Sequence, residues 1–241
     1  VEVGGKRFGI RVGEDLDWPG AEKGVDALLV LSATPFVLEK EEECLATLVD
    51  LADSLQRPVA WVNQVGGNDG LIFPGGSLAL DSNGRILGRA ARFEEDVFLV
   101  ELDGVAVESE PADSSTEYSE EEDIWKALVL GTRDYVHKCG FPRVLLGLSG
   151  GIDSALSAVV AADALGPDRV HCVLLPSKYT SRASIDDAIE CCERIGCRAD
   201  TVAIEPAIAA FDSMLAASFE GREPDETEEN IQARARGVTL M

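Results

Sequence analysis

The sequence predicts an α/β protein of two units. Three observations carry this. Apolar runs of strand length alternate with amphipathic segments of helix length, two such alternations are separated by an acidic stretch without periodicity, and one glycine- and serine-rich turn leads from a buried strand into a helix. In order, 8–12 is a short apolar strand and 27–32 a near-continuous apolar run of the kind buried on both faces. An amphipathic helix over 39–55 sets Leu45, Leu48, Leu51 and Leu55 at helical spacing. Residues 58–63 are a third strand. Asn83 and Gly84, between Leu78 and Ile86, mark a hairpin, and 96–102 reads as a further strand.

Residues 105–121 are acidic, polar and aperiodic, and are expected to be a solvated linker between domains at 1–104 and 122–241. In the second domain Ser119 and Glu122 form a capping-box pattern ahead of a helix whose apolar face is marked by Ile124, Leu128 and Tyr135. A strand over 143–148, an alanine-rich helix over 153–165 ending at Gly166, and a strand over 170–175 follow. Ser184 with Asp187 caps a helix running to Ile195 and Gly196, and 201–204 is a strand. This alternation predicts a parallel sheet with right-handed crossovers.

The chain has 241 residues, 46% hydrophobic and 27% charged, a composition that excludes a disordered tail, a collagen-like repeat and a small disulfide scaffold. With 21 basic and 44 acidic residues its net charge is −23, which argues against nucleic-acid or anionic-membrane partners. No run of 18 apolar residues occurs. Six cysteines without a CxxC pair read as reduced, cytoplasmic thiols, and His137 and His171 are too few and too scattered for a zinc site. A start at Val1 and an end at Met241 within a helical pattern lead us to expect a piece of a longer protein.

The chemistry concentrates at Gly147, Leu148, Ser149, Gly150, Gly151, Ile152, Asp153 and Ser154. A loop between a buried strand and a helix start is where open parallel sheets bind ligands. The N–H groups of Ser149, Gly150 and Gly151 can form an anion nest, and the helix N-terminus adds about half a positive charge. Asp153 is suited to hold a Mg²⁺ ion that bridges to phosphate. In this way an acidic chain binds ATP through local dipoles and a metal. No Gly-Lys-Ser/Thr follows, so the loop is not a Walker A motif.

The segment resembles the SGGxDS pyrophosphate loop of the ATP-pyrophosphatase superfamily, whose members adenylate a carboxylate or carbonyl and release pyrophosphate. Its flanks resemble the synthetase domain of the two-domain, glutamine-dependent NAD synthetases: Arg133, Asp134 and Tyr135 ahead of the loop, Asp163 to Gly166 after it, Leu175 to Ser181, and the run from Glu229 to Gly237. Ser32 to Phe36, Val62 to Gly67, and Gly75 to Ser77, with Gly9, Ile10, Glu14 and Asp15, resemble the C-terminal part of the nitrilase-type glutaminase domain of the same family.

The resemblance implies an α/β chain made of the C-terminal part of a nitrilase-like α-β-β-α domain followed by the N-terminal part of a parallel-sheet ATP-pyrophosphatase domain. It implies ATP-dependent amidation of deamido-NAD through an acyl-adenylate in a cytoplasmic homo-oligomer, with ATP as co-substrate, Mg²⁺ as cofactor, and nitrogen from glutamine or ammonia. Asn230 and Arg234 match deamido-NAD contacts, and Thr34 and Lys40 match glutamine contacts. Arg236 and Lys178 read equally as site residues or surface charges. Gly13 stands where the family has its nucleophilic cysteine, and a glycine has no nucleophile to activate. The alternative implied is an ammonia-dependent or incomplete enzyme whose N-terminal half is a non-catalytic binding or assembly module.

Overall fold

A computed structural model describes residues 1–13, 24–38, 40–101, 119–221 and 225–241. Glu14, Asp15, Glu39, Leu102 and positions 105–118 of the expected linker lie outside the described residues. The chain divides into two compact units, Val1–Tyr135 and Val136–Met241.

The first unit runs β1 (Glu2–Val3), β2 (Lys6–Val12), β3 (Ala27–Ser32), α1 (Lys40–Leu55), β4 (Val59–Asn63), β5 (Val65–Asn68), β6 (Leu71–Pro74), β7 (Leu78–Leu80) and β8 (Ile86–Arg89), then most of α2 (Glu120–Lys138). A mixed sheet has the order β1-β2-β3-β4-β7-β8, with β2, β3 and β4 parallel and the outer pairs antiparallel. β5 and β6 form a separate antiparallel hairpin. Alternation along the strands sends Leu28, Val30, Val59, Trp61, Leu78 and Leu80 to one face, where Leu48 and Ala52 of α1 complete a core flanked by Leu45, Leu51 and Leu55. Ile10, Val12, Leu31 and Val62 are exposed.

Helix α2 begins where Ser119 Oγ accepts a hydrogen bond from the Glu122 N–H at 3.3 Å. Its buried face is not the expected one. Ile124, Leu128 and Tyr135 are exposed, whereas Ala127 and Leu130 pack with Phe93, Phe36, Val65 and Ile72. The helix turns Gly131 to the hairpin, which comes too close at that point for a side chain. A Cβ on Gly67 would stand 3.1 Å from the Gly131 Cα, and one on Gly131 would stand 2.9 Å from Ile72 Cδ1. Asp134 Oδ2 accepts from the Gly67 N–H at 2.8 Å on the same face. The expected strand over 96–102 is also corrected, since residues 96–101 form none. Asp96 uses its carboxylate on the Ala91 and Val97 N–H groups, Val97 and Leu99 face solvent, and Phe98 lies on Gly88.

The second unit runs β9 (Val144–Gly147), α3 (Ile152–Leu165), β10 (Val170–Leu174), α4 (Arg182–Ile195), β11 (Arg198–Thr201), α5 (Glu205–Phe219) and α6 (Glu226–Leu240). Its sheet, in the order β11-β10-β9, is parallel throughout. Cys172 and Leu174 point to one face and pack with Leu148, Ala158, Ala161, Ala162, Ala188 and Cys192 of the loop, α3 and α4. Val173 and Leu175 point to the other and pack with Ile204, Ile208 and Leu240. The strand expected at 201–204 lies at 198–201 instead. Beyond it Val202 and Ile204 donate to the carbonyls of Leu174 and Pro176, and Ile204, with φ −91° and ψ −3°, already turns into α5. The cap of α4 is Ser181, which accepts from the Ser184 N–H, so the helix starts earlier than Ser184 and Asp187 suggest.

The hairpin at Asn83 and Gly84 forms, with Asp81 Oδ1 accepting from the N–H groups of Asn83 and Arg85 at 2.8 and 2.9 Å. Those bonds, led by the one from Arg85, hold the Asp81 carboxyl below its ordinary value of 3.8. A lowered folded pKa stabilises the turn above the unfolded value, and that contribution is lost as pH falls through the folded pKa. An NMR titration of Asp81 is expected to give a midpoint below 3.8, with the Asn83 and Arg85 amides losing protection only through that midpoint. A midpoint at or above the ordinary value contradicts this.

Candidate functional site

Between β9 and α3 the chain makes one tight loop. Leu148 is buried and its N–H donates to the Val173 carbonyl at 3.0 Å, which continues the sheet into the loop. Ser149 Oγ and Ser154 Oγ are 3.0 Å apart, and Ser154 Oγ donates to the Gly151 carbonyl at 2.9 Å. The N–H of Ser149 donates to Ser154 Oγ and that of Gly151 to Ser149 Oγ, each at 3.2 Å. Two of the three N–H groups expected to form a nest are thus held by rotatable hydroxyls on the exposed side of the loop. An anion can take the place of those hydroxyl oxygens without opening the backbone.

Gly150 has φ +83°, and a Cβ on it would stand 2.2 Å from the Ser184 carbonyl oxygen and 2.9 Å from the Ser184 Cα. Only a residue without a side chain allows this approach. The contact brings the first turn of α4 against the loop that opens α3, so two helix N-termini meet. Their electrostatics differ from those of half of the helices. α1, α2 and α6 carry three or four acidic residues in their first turns, whereas α4 carries none, α3 only Asp153 and α5 only Glu205. In a chain of net charge −23 these two positive helix ends are left almost uncompensated.

The start of the loop and the start of α4 border a cavity of about 430 Å³, lined by Gly147, Leu148 and Ser149, by Ser181 and Ser184, and by Leu174, Pro176, Tyr179 and Arg236 among others, while Gly150, Gly151, Ile152, Asp153 and Ser154 lie beside this lining and not in it. A volume of this size suits a small-molecule ligand. Arg236 is half-buried, with its Nε donating to the Leu175 carbonyl at 3.3 Å. Lys178 is not in this lining, and its Nζ lies 5.0 Å from the centre of the ring of Tyr179, which is. Asn230 and Arg234 lie on the exposed side of α6, outside the lining. Among the two arginines it is therefore Arg236 that the fold delivers to the cavity. Its four-residue spacing from buried Gln232 is the sequence signal for that placement.

In the first unit Thr34 and Lys40 come together at a cavity of about 30 Å³, with Glu41, Cys44, Trp61, Asn63 and Arg92 also in its wall. It sits beyond the carboxyl ends of β3 and β4. Buried Asn63 shapes it, accepting from the Thr34 N–H at 2.9 Å and donating to the Gly75 carbonyl at 3.0 Å. Gly13 follows β2 with φ +67°, its N–H donating to the Leu31 carbonyl at 2.8 Å, and is not part of this lining. Cys44 is, which its place on a helix did not suggest. Burial pushes the Cys44 thiol up, against the lowering influence of Lys40, so at neutral pH it is a protonated thiol and a poor nucleophile.

Residues 124–241 match the NAD synthase family model. The glutamine-dependent NAD(+) synthetase of Rhodobacter capsulatus is 42% identical over 100% of this chain and 45% of its own length, and that of Synechocystis sp. is 42% identical over 91% and 40%. The structure of glutamine-dependent NAD+ synthetase from Acinetobacter baumannii, in complex with ADP, is 40% identical with a TM-score of 0.89, over 100% of this chain and 47% of that one. A counterpart from Cytophaga hutchinsonii, 19% identical, shares the fold with a TM-score of 0.83, over 100% and 46%. The second unit thus carries an NAD synthase-family segment. Along its whole length the chain is a homologue of the glutamine-dependent NAD(+) synthetases, and it spans about 45% of the Rhodobacter relative's length.

The Gly150–Ser184 contact yields a direct test. Gly150→Ala is expected to destabilise the second unit by about 3 kcal/mol or more, from backbone strain and overlap together. Gly151→Ala, where a Cβ would meet only Ser149 Oγ at 3.3 Å, is expected to cost about 1 kcal/mol. Denaturant melts followed by hydrogen exchange in β9 and α3 separate the two. Equal costs contradict the close approach.

Proposed function

We propose that this chain is part of an enzyme that amidates deamido-NAD to NAD using ATP, and that the second unit holds the ATP phosphates. The observation that carries the reading is the meeting of two nearly acid-free helix N-termini at a glycine loop beside a cavity of nucleotide size. The nicotinate carboxylate attacks the α-phosphorus, the bond to the bridging oxygen breaks, and pyrophosphate leaves toward Ser149–Ser154. The Gly150 N–H, the Ser149 and Ser154 hydroxyls and the α3 dipole stabilise the charge that develops there. Ammonia then adds to the acyl carbon and AMP departs with the bonding electrons.

Asp153, a single exposed carboxylate in the first turn of α3, fits Mg²⁺, an ion that is commonly held by one or two carboxylates together with substrate phosphates. Bound there, the ion would neutralise phosphate charge. Arg236 supplies the remaining positive charge at the cavity. Asn230 and Arg234, on the exposed side of α6, are the proposed deamido-NAD contacts, met from outside the cavity.

The first unit we read as part of a nitrilase-like α-β-β-α glutaminase domain. The exposed apolar residues Ile10, Val12, Leu31 and Val62 fit coverage by a second sheet. Thr34 and Lys40 are the proposed glutamine contacts. With Gly13 at the nucleophile position and the Cys44 thiol held protonated, the unit binds without hydrolysing, and the nitrogen enters as ammonia. Exposed Phe211 and Met214 on α5 fit burial against a second copy in a homo-oligomer. No helix among the described residues is long and apolar enough to cross a membrane.

Titration calorimetry on the chain is expected to show ATP binding that pyrophosphate competes away. Asp153→Asn is expected to weaken it about tenfold or more with Mg²⁺ present and little in EDTA. Glutamine is expected to release no ammonia above the blank. Absent ATP binding contradicts the nucleotide reading, and steady ammonia release contradicts the loss of the nucleophile.

A further inference from the structure

One face of α6 makes a row of contacts with β10 and the segment that follows it. Gln232, Arg236 and Leu240 recur every four residues, so they stack along one side of the helix. Gln232 Oε1 accepts from Ser177 Oγ at 3.0 Å, and Arg236 Nε donates to the Leu175 carbonyl at 3.3 Å. Leu240 packs with Val173 and Leu175, its Cδ1 3.2 Å from where a Cβ on Gly147 would be. Positions 232, 236 and 240 thus pair with 177, 175 and 173, and the row ends at the start of the loop.

The polar end of this row is unusual for its setting. Gln232 is 8% exposed on a helix that otherwise buries only Ala235. A buried amide is costly unless it is bonded, and so it specifies register where an apolar residue would not. Ser177 is also the hub of the strap 175–181. Its N–H donates to Thr180 Oγ1 at 3.0 Å, the Thr180 N–H donates to its carbonyl at 3.0 Å, and the Tyr179 N–H donates to its hydroxyl at 3.4 Å. The strap supplies Tyr179, Thr180 and Ser181 to the cavity wall and caps α4 with Ser181.

We propose that Gln232 is a positioning residue. Through Ser177 it fixes the strap on α6, and by setting the helix register it keeps Arg236 at the cavity. The consequence for ligand affinity rests on reading that cavity as the ATP site; the positioning of the strap does not.

The test uses the whole chain with Gln232→Leu, Ser177→Ala and the double variant. Hydrogen exchange is read over 177–181 and over β10, and MgATP affinity by calorimetry. Each single variant is expected to speed exchange in the strap while β10 stays protected. Each is expected to weaken MgATP binding about three- to tenfold, and the double variant to be no worse than either alone. Strap exchange unchanged in both single variants overturns the proposal, as does additivity in the double variant. Should Gln232→Leu fail to fold, Ser177→Ala alone decides by the same readout. A parent chain that binds no ATP while the variants loosen the strap overturns the nucleotide reading and supports the positioning role.

Discussion

The Ser184 carbonyl stands where a side chain on residue 150 would have to be, and the second unit is organised around that exclusion. Because Gly150 presents bare backbone, α4 begins directly against the loop that begins α3. The strap between β10 and α4 must therefore turn at Ser177 and deliver Ser181 as a cap, which draws Tyr179 and Thr180 into the same wall. The parallel order β11-β10-β9 sets the carboxyl ends of β9 and β10 side by side beneath it. A methyl group at position 150 would separate the two helix starts and dissolve the cavity's polar side.

Charge is placed to the same effect. Three of the six helices, α1, α2 and α6, place three or four acidic residues at their own N-termini, where they stabilise the macrodipole by some tenths of a kcal/mol each. α3 and α4 forgo nearly all of that stabilisation. The positive ends so exposed, with Arg236, fit the proposed anion site within a strongly acidic chain, and screening confines the opposing field of the distant carboxylates. The net charge thus excludes a basic binding surface without excluding phosphate. The first unit shows the complementary case, in which Arg92 is bonded to Glu41 and Asp123 and the acids are answered by ion pairs.

Where side-chain pattern alone decides, structure was legible in the sequence. The apolar run at 27–32 is β3, the leucine spacing of α1 buries Leu48, and the alanine-rich stretch after Ser154 is α3 ending at Gly166. Where backbone approach decides, it was not. On α2 the eye follows Ile124, Leu128 and Tyr135, but the close approach of Gly67 to Gly131 turns the face of Ala127 and Leu130 inward. α5 buries Ile208 alone and so carries no stripe to read. The loop 147–154 stood out because glycines between a strand and a helix have few other uses. Its partner at Ser184, the strap, and the roles of Gln232 and Arg236 did not, because they depend on pairings across as many as 61 residues.

Proton and nitrogen chemical shifts of the backbone amides give the most direct test of the claim that the two helix starts form one phosphate site. On titration with pyrophosphate and Mg²⁺, the largest changes are expected to fall together on Gly150, Gly151 and the following turn of α3 and on residues 182–184 of α4, with one common dissociation constant. Changes confined to one helix start, or centred instead on the cavity at Thr34 and Asn63, would contradict it.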